Sequence, residues 1–425
     1  MADPAIKKEV LDNGLTILTE RIEHLRSISL GIWLKKGSQD ESTADAGIYH
    51  FIEHMLFKGT ERRNAYDIAR IIDSIGGYTD AFTSKENTCF YAKMLDEHLP
   101  VILDLFADIL MHPKFEMEDI DRERKVILEE IKMVEDNPGD LVHELFLEHY
   151  WSGHPLGRPI LGTVDTVHAV DQSLLRDCFS RDYIPPNMVL SAAGKIDHDE
   201  LVESVRKCFP LKPRSASLPV QLPPVNPQPL VLFRPKKDLE QAHICIGMMG
   251  YSTNHPQRYA AAVMNVILGG SMSSRLFQKI REERGLCYTV FSSLNAFQDS
   301  GYVSIYAGTG RDTVRTAAEL ILQECRLLVL EPVTQEELEN AKNHLKGSLM
   351  LSLESSSTRM FNLAKNDMYH DRQITAEEVL AEISAVTVED VQQVAMELFQ
   401  HSNYGIVVVG DLDRFDFRTE DFLMH

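Results

Sequence analysis

Met188 to Asp197 reads MVLSAAGKID and Gly405 to Asp413 reads GIVVVGDLD, two apolar strands that both end in Gly-x-(Ile/Leu)-Asp. Each follows a helical stretch after a short gap: VHAVDQSLLRDCF from Val167 to Phe179, and ISAVTVEDVQQVAMELF from Ile383 to Phe399. Apolar residues at helical spacing, then a short continuous apolar run, describe a helix followed by a buried strand. Their recurrence late in each half of the chain is a repeat at domain scale. The chain therefore reads as two similar α/β domains of about 200 residues each, a size that one hydrophobic core can fill.

The stretch between the halves agrees. From Pro210 to Pro229 come seven of the eighteen prolines (210, 213, 219, 223, 224, 227, 229), with no helical or alternating pattern. That composition makes a stiff, extended tie. The expected organisation is an N-terminal domain at 1–209, a Pro-rich linker at 210–229 and a C-terminal homologous domain at 230–425. The fold class is α+β: two α/β sandwich domains, each a mainly antiparallel sheet packed with helices. In the first domain, Asn13-Gly14 between apolar flanks signals a hairpin, and Ser27 to Lys36 alternates like a half-buried strand. Helices are expected near 65–75, 97–111, 117–135 and 139–150, with strands at 78–84 and 87–94. In the second, strands at 230–234, 242–249, 287–296 and 301–307 surround helices at 259–268 and up to Arg284. Helices then dominate from Thr313 to Gln400.

The chain has 425 residues, 44% hydrophobic and 25% charged, with a formal charge of −21. These proportions suit a globular protein, and the acidic balance argues against a nucleic-acid partner, which requires a basic surface. Cys89, Cys178, Cys208, Cys245, Cys287 and Cys325 are scattered singly, which fits a reducing compartment. MADPAIKKEVLDNG carries neither a secretory nor a transit-peptide pattern. No apolar run approaches the roughly 20 residues of a membrane span. A cytoplasmic protein with no membrane partner is expected.

One cluster asks for a chemical explanation. GIYHFIEHMLFKGT, from Gly47 to Thr60, contains His50, Glu53 and His54. On a helix, residues four apart lie about 40° apart around the axis, so both imidazoles leave one face with Glu53 beside them. Two imidazoles suit Zn²⁺, and an adjacent carboxylate can take a proton from a water that the metal acidifies. The order His-x-x-Glu-His is the inverse of the usual zinc-peptidase motif. A surface helix bearing the same residues would look no different over these five positions.

A catalytic zinc takes three protein ligands and one open position. In RERKVILEEIKMVEDNP, Glu123 and Glu130 are seven apart and share a helix face, so Glu130 can complete a His₂Glu site while Glu123 orients a ligand histidine. Glu129 points about 100° away. A solvated acidic helix face would carry the same glutamates. His143, Glu144, Glu148 and His149 form a second group of suitable residue types, but histidines six apart fall on different faces.

The His-x-x-Glu-His cluster, with Glu130 following His54 by 76 residues, resembles the pitrilysin/insulysin/mitochondrial processing peptidase family of zinc metallopeptidases. GGYTDAFTSKENTCFYAKML and GGSMSSRLFQKIREERGLCYTVFSS are similar to its two-domain bacterial processing-peptidase branch, and the resemblance spans nearly the whole chain. It implies one Zn²⁺ per chain on His50, His54 and Glu130, with Glu53 as general base and Glu123 in support. It further implies that Tyr78, Asp80, Ala81, Phe82 and Thr83 form a strand onto which an extended peptide adds. The family has Asn where this chain has Asp80, and a carboxylate there donates no hydrogen bond and adds negative charge near the metal. Arg281 and Tyr288, seven apart in REERGLCY, match the family's pair that binds the substrate backbone and the oxyanion.

The implied activity is a zinc-dependent endopeptidase acting on peptides or extended, presequence-like segments, with two copies closing a chamber as a homodimer. The competing reading is a non-catalytic subunit of the same fold, acting in assembly or as a metal-binding scaffold. Such relatives typically lose ligands or the base, and here all are present.

Overall fold

The computed structural model describes residues 6–209, 222–227, 229–399 and 403–412. Most of the Pro-rich stretch at 210–229 lies outside them, as do Gln400 and Asp413. The first half runs β1 (Ile6–Val10), β2 (Thr16–Arg21), β3 (Ser27–Leu34), α1 (Ile48–Leu56), α2 (Ala65–Ser74), β4 (Tyr78–Thr83) and β5 (Thr88–Leu95). It continues with α3 (Leu99–Met111), α4 (Met117–Asp136), α5 (Pro138–Tyr150), α6 (Val164–Ala169), α7 (Gln172–Asp182), β6 (Met188–Gly194) and α8 (His198–Cys208). The second half runs β7 (Leu230–Pro235), β8 (Gln241–Met249), α9 (Arg258–Leu268), β9 (Cys287–Ala296) and β10 (Gly301–Gly310). Last come α10 (Val314–Leu330), α11 (Gln335–Ser352), α12 (Ser356–His370), α13 (Ala376–Ala385), α14 (Val388–Phe399) and β11 (Gly405–Gly410).

The chain forms two compact units, neither continuous in sequence. One takes Met1–Lys132, Arg158–Leu222 and Ser352–Gln373, the other Met133–Gly157, Pro223–Leu351 and Ile374–His425. Each half of the chain thus lends one segment to the unit built mainly from the other half.

The first unit contains a six-stranded sheet in the order β1-β2-β6-β3-β5-β4. β1 and β2 form the hairpin that Asn13-Gly14 announces, with Gly14 at φ 91°. β6 returns to lie parallel to β2 and antiparallel to β3. The alternation in β3 suggests one buried face, yet seven of its eight residues are buried. Ile28, Leu30, Ile32 and Leu34 enter the main core under α1, α3, α7 and α8. Ser29, Gly31 and Trp33 face the other way, where α12 covers them. Met360, Leu363 and Ala364 of α12 pack with Leu18, Trp33, Cys89, Val189 and Ala193. Ser29 Oγ lies 2.9 Å from Ser356 Oγ, and Trp33 Nε1 donates to Ser191 Oγ at 3.0 Å. The polar and small residues of that face are buried because a helix some 330 positions away satisfies and covers them.

The second unit contains a five-stranded sheet in the order β7-β11-β8-β10-β9. β11 lies parallel to β7 and antiparallel to β8, just as β6 lies between β2 and β3. The two repeated stretches are therefore the equivalent inner strands of two equivalent sheets. Ile244, Ile246, Ile406 and Val408 face a core that includes α9, α10 and α14. Cys245, Val407 and Val409 face α5, which brings Val142, Phe146 and Tyr150. Gly247 admits the Phe146 ring: a Cβ there would stand 2.1 Å from Phe146 Cζ. The helix expected up to Arg284 takes a π-helical form over Phe277–Glu282, with Glu283 N–H donating to the Gln278 carbonyl. A wider turn of this kind occurs mostly as a local insertion in functional segments.

No helix of the described residues is long and apolar enough to cross a membrane. The six cysteines are free and five are buried.

Gly247→Ala drives a methyl group into the Phe146 ring and is expected to cost about 1–3 kcal/mol of stability. Urea unfolding followed by tryptophan fluorescence measures it, and adding Phe146→Leu should recover part of the loss.

Candidate metal centre

α1 begins at Gly47, whose φ of 92° and lack of a side chain leave the helix without an ordinary N-cap. A Cβ at Gly47 would lie 2.6 Å from the Leu161 carbonyl oxygen. Glu41 replaces the cap: its carboxylate accepts the Gly47 N–H at 2.9 Å and the Tyr49 N–H at 3.1 Å. A carboxylate at this end also complements the helix dipole. Ile48, Tyr49, Phe51, Ile52, Met55 and Leu56 are buried in the core. That burial fixes the rotation of α1 and turns His50, Glu53 and His54 to its remaining, half-buried face.

On α4, Ile120 and Ile127 are buried seven residues apart and dock the helix on the same core. Glu123 and Glu130 share that spacing, so docking aims both toward α1. Glu130 Oε2 stands 3.6 Å from His50 Nε2 and 3.7 Å from His54 Nε2. The imidazole centroids are 4.6 Å apart. One ligand atom from each of His50, His54 and Glu130 falls within 4.8 Å of the others, and among the described residues this is the one group of three or more that does so. Two imidazole nitrogens and a carboxylate oxygen converging in this way are a donor set that suits Zn²⁺. Glu129 turns outward to Lys132 at 2.7 Å. His143 and His149 are not brought together: His143 Nδ1 is 3.6 Å from Cys245 Sγ, and His149 Nδ1 is bonded to the Leu145 carbonyl.

Glu123 is buried and places Oε2 3.1 Å from His54 Nδ1, while its Oε1 meets Lys58 Nζ at 2.8 Å. With Nδ1 engaged, Nε2 is the nitrogen His54 presents toward Glu130. His50 Nδ1 is buried and has no hydrogen-bond partner. Burial, then the neighbouring His54, pushes His50 down to about 3, so its imidazole is neutral. For His54, burial favours the neutral ring, but Glu123, Glu130 and Glu53 outweigh it and raise the pKa. Burial works against the charged form of Glu123 as well, and its bonds to His54 and Lys58 prevail and lower it. Glu53 is pushed up to about 7, mainly by burial. Three carboxylates around two imidazoles and one lysine leave negative charge that a cation would offset.

β4 ends the sheet beside α1. Thr83 Oγ1 donates to Glu53 Oε2 at 2.6 Å. Ala81 packs against the main core, whereas Tyr78 and Asp80 are exposed and Phe82 is half-buried. In the second unit, Arg281 lies in the π-helical turn with its guanidinium 4.5 Å from the Phe277 ring centroid and 5.2 Å from that of Tyr288. Tyr288 is 75% exposed, so its hydroxyl is open to a ligand.

Three contributors escape sequence reasoning. Lys58 follows His54 by four residues, and that spacing was the available signal for its reaching the same glutamate. Glu41 precedes the helix it caps by a loop and carries no capping pattern. Thr83 reads as a strand position, not as a partner of Glu53.

The architecture is two helix-packed sheets, and the His-His-Glu group is a donor set that fits a divalent metal ion. The family model described as insulinase (peptidase family M16) matches residues 16–164, and the one described as peptidase M16 inactive domain matches residues 169–345. The chain belongs to peptidase family M16. It is 40% identical to the uncharacterized zinc protease YmxG of Bacillus subtilis, over 95% of this chain and 98% of that protein. An uncharacterized zinc protease of Mycobacterium leprae is 38% identical, over 95% of this chain and 91% of its own length. In fold, the chain is similar to a protease from Helicobacter pylori, with a TM-score of 0.88 at 23% identity over 96% of this chain and 99% of that one. A peptidase M16 inactive domain from Pseudomonas fluorescens gives the same TM-score at 20% identity, over 95% and 97%.

Glu41→Ala strands two buried N–H donors at the start of α1 and should destabilise the protein by about 1–3 kcal/mol. Chemical denaturation of the two proteins tests this, and an unchanged midpoint would remove Glu41 from the capping role.

Proposed function

We propose that this protein is a zinc-dependent endopeptidase acting on peptides or extended, unfolded segments. The observation that carries the reading is the convergence of His50 Nε2, His54 Nε2 and Glu130 Oε2 beside the half-buried carboxylate of Glu53. These residues lie in the segment that matches the insulinase description, outside the one described as inactive.

His50, His54 and Glu130 would hold one Zn²⁺ per chain, which when bound would supply Lewis-acid chemistry to the scissile carbonyl and to an attacking water. Glu53 takes the proton of the attacking water and returns it to the leaving amine. The Thr83 hydroxyl, bonded to Glu53 Oε2, steadies that carboxylate and leaves Oε1 to meet the water. Glu123 holds His54 through Nδ1 and leaves Nε2, on the side of Glu130, as the nitrogen that would bind the metal. The edge of β4 over Tyr78–Thr83 receives the substrate as an added strand, so main-chain hydrogen bonds supply affinity with little sequence demand. Arg281 holds the substrate backbone, and the Tyr288 phenol donates to the oxyanion. Two copies form a homodimer that encloses the peptide.

Glu53→Gln should keep zinc and lose at least about a thousandfold in turnover of an extended peptide, in the range of general acid–base contributions. Metal analysis with a fluorogenic cleavage assay measures both, and equal activity in the two proteins would end the general-base assignment. Glu123→Ala is expected to weaken zinc binding about 10–100-fold by loosening His54, as seen in competition with a chromophoric chelator.

A further inference from the structure

The two histidines that converge on Glu130 are held differently from behind. His50 Nδ1 is buried without a hydrogen-bond partner, so no bond fixes that ring on its far side. His54 Nδ1 lies 3.1 Å from Glu123 Oε2, and Glu123 Oε1 lies 2.8 Å from Lys58 Nζ. A chain of contacts thus runs from Lys58 through Glu123 to the imidazole, whose Nε2 stands 3.7 Å from Glu130 Oε2. Partners of this kind orient a ligand ring and set its tautomer.

Lys58 is the outermost link. It stands just beyond Phe57, which ends α1, where a cation complements the carboxyl end of a helix. Its side chain is 34% exposed against 7% for Glu123, so the lysine reaches in from water while the carboxylate stays inside. A buried carboxylate oxygen needs a partner, and a charged donor holds it more tightly than a neutral one. Among the described residues, Lys58 is the one lysine or arginine paired with Glu53, Glu123 or Glu130. Its charge cancels that of Glu123, which leaves the carboxylates of Glu53 and Glu130 to balance a divalent ion. Without Lys58, Glu123 Oε1 would be buried and unpaired. Turning the carboxylate toward water would then satisfy that oxygen at the expense of the contact with His54 Nδ1.

We propose that Lys58 is a positioning residue for the metal: by holding Glu123 through Oε1 it keeps Oε2 on His54 Nδ1, leaves Nε2 on the side of Glu130, and so sets the affinity for zinc. The proposal rests on the metal-binding part of the peptidase reading and adds to it a residue that touches neither metal nor substrate. Its effect passes through His54 alone, because His50 has no bonded partner behind it.

The test is the zinc affinity of the full chain, measured by competition with a chromophoric chelator. Lys58→Met should weaken zinc binding about tenfold, the lower end of what partners behind metal-bound histidines contribute. Lys58→Arg should recover most of the loss, since a guanidinium is also a charged donor and a cavity of about 120 Å³ beside Met55, Lys58 and Gly59 has room for it. In a Glu123→Ala background, Lys58→Met should change the affinity by less than about twofold, because the two residues act as one unit. Urea unfolding of the metal-free proteins checks that each variant folds, and Lys58→Gln, of similar length, takes the place of Lys58→Met if that protein does not. Unchanged affinity in Lys58→Met, an arginine variant as weak as the methionine one, or an equal loss with and without Glu123 would overturn the role of Lys58 and leave the peptidase reading intact. A wild type that binds zinc and shows the expected ratios, yet cuts no peptide, would support Lys58 and end the peptidase reading; one that binds no zinc overturns both.

Discussion

A sheet whose inner strands carry apolar side chains on both faces has to be covered twice. β3 and β6 satisfy this in the first unit, where Ile28, Leu30 and Leu190 lie under one layer of helices and Ser29, Gly31, Trp33 and Ser191 lie under α12. β8 and β11 do the same in the second unit, with Cys245, Val407 and Val409 under α5. The covering helix comes in each case from the other half of the chain. Burying such a face removes large side chains like Trp33 and Phe146 from water, worth about 25 cal/mol per Å² of apolar surface. The repeat is thereby built into units that cannot be cut apart at the midpoint of the sequence.

The metal centre follows from how the covered sheet holds its helices. α1 and α4 insert their apolar stripes into one core, and their rotation about their axes is set by Phe51, Ile52, Ile120 and Ile127. What remains on each helix is the polar face, and the two polar faces meet. Desolvation keeps His50 neutral, while Glu123 and Lys58 form a bonded pair behind His54. The result is a convergent group of donors with surplus negative charge and one imidazole nitrogen from each histidine turned toward Glu130. The family to which the chain belongs is one whose curated relatives are named zinc proteases, and the donor set agrees with that name.

Much of this was legible in the residues. The spacing of His50, Glu53 and His54 and the seven-residue separation of Glu123 and Glu130 place side chains on helix faces, because helical periodicity is local physics. The likeness of MVLSAAGKID and GIVVVGDLD gave the repeat, since the two stretches occupy equivalent places in equivalent sheets. The burial of β3 on both faces was not legible. Serine and glycine on a strand read as a solvated face unless one knows that Ser356 and Met360 are there to meet them. Glu41 was invisible for a related reason: a cap supplied from six residues upstream leaves no fixed spacing to find. The π-helical turn over Phe277–Glu282 was hidden too, since its sequence has ordinary helical periodicity.

The sequence by itself determined the class of fold, the element order and which candidate metal-binding side chains share a helix face, because each depends on patterns within about twenty neighbours. Only the tertiary structure decided that Glu130 rather than Glu129 meets His50 and His54, that it is His54 that Glu123 reaches, and that Asp80 sits among aromatic rings at a sheet edge. Those contacts join residues far apart in the chain, and packing of apolar faces, which carries no short-range signature, is what brings them together.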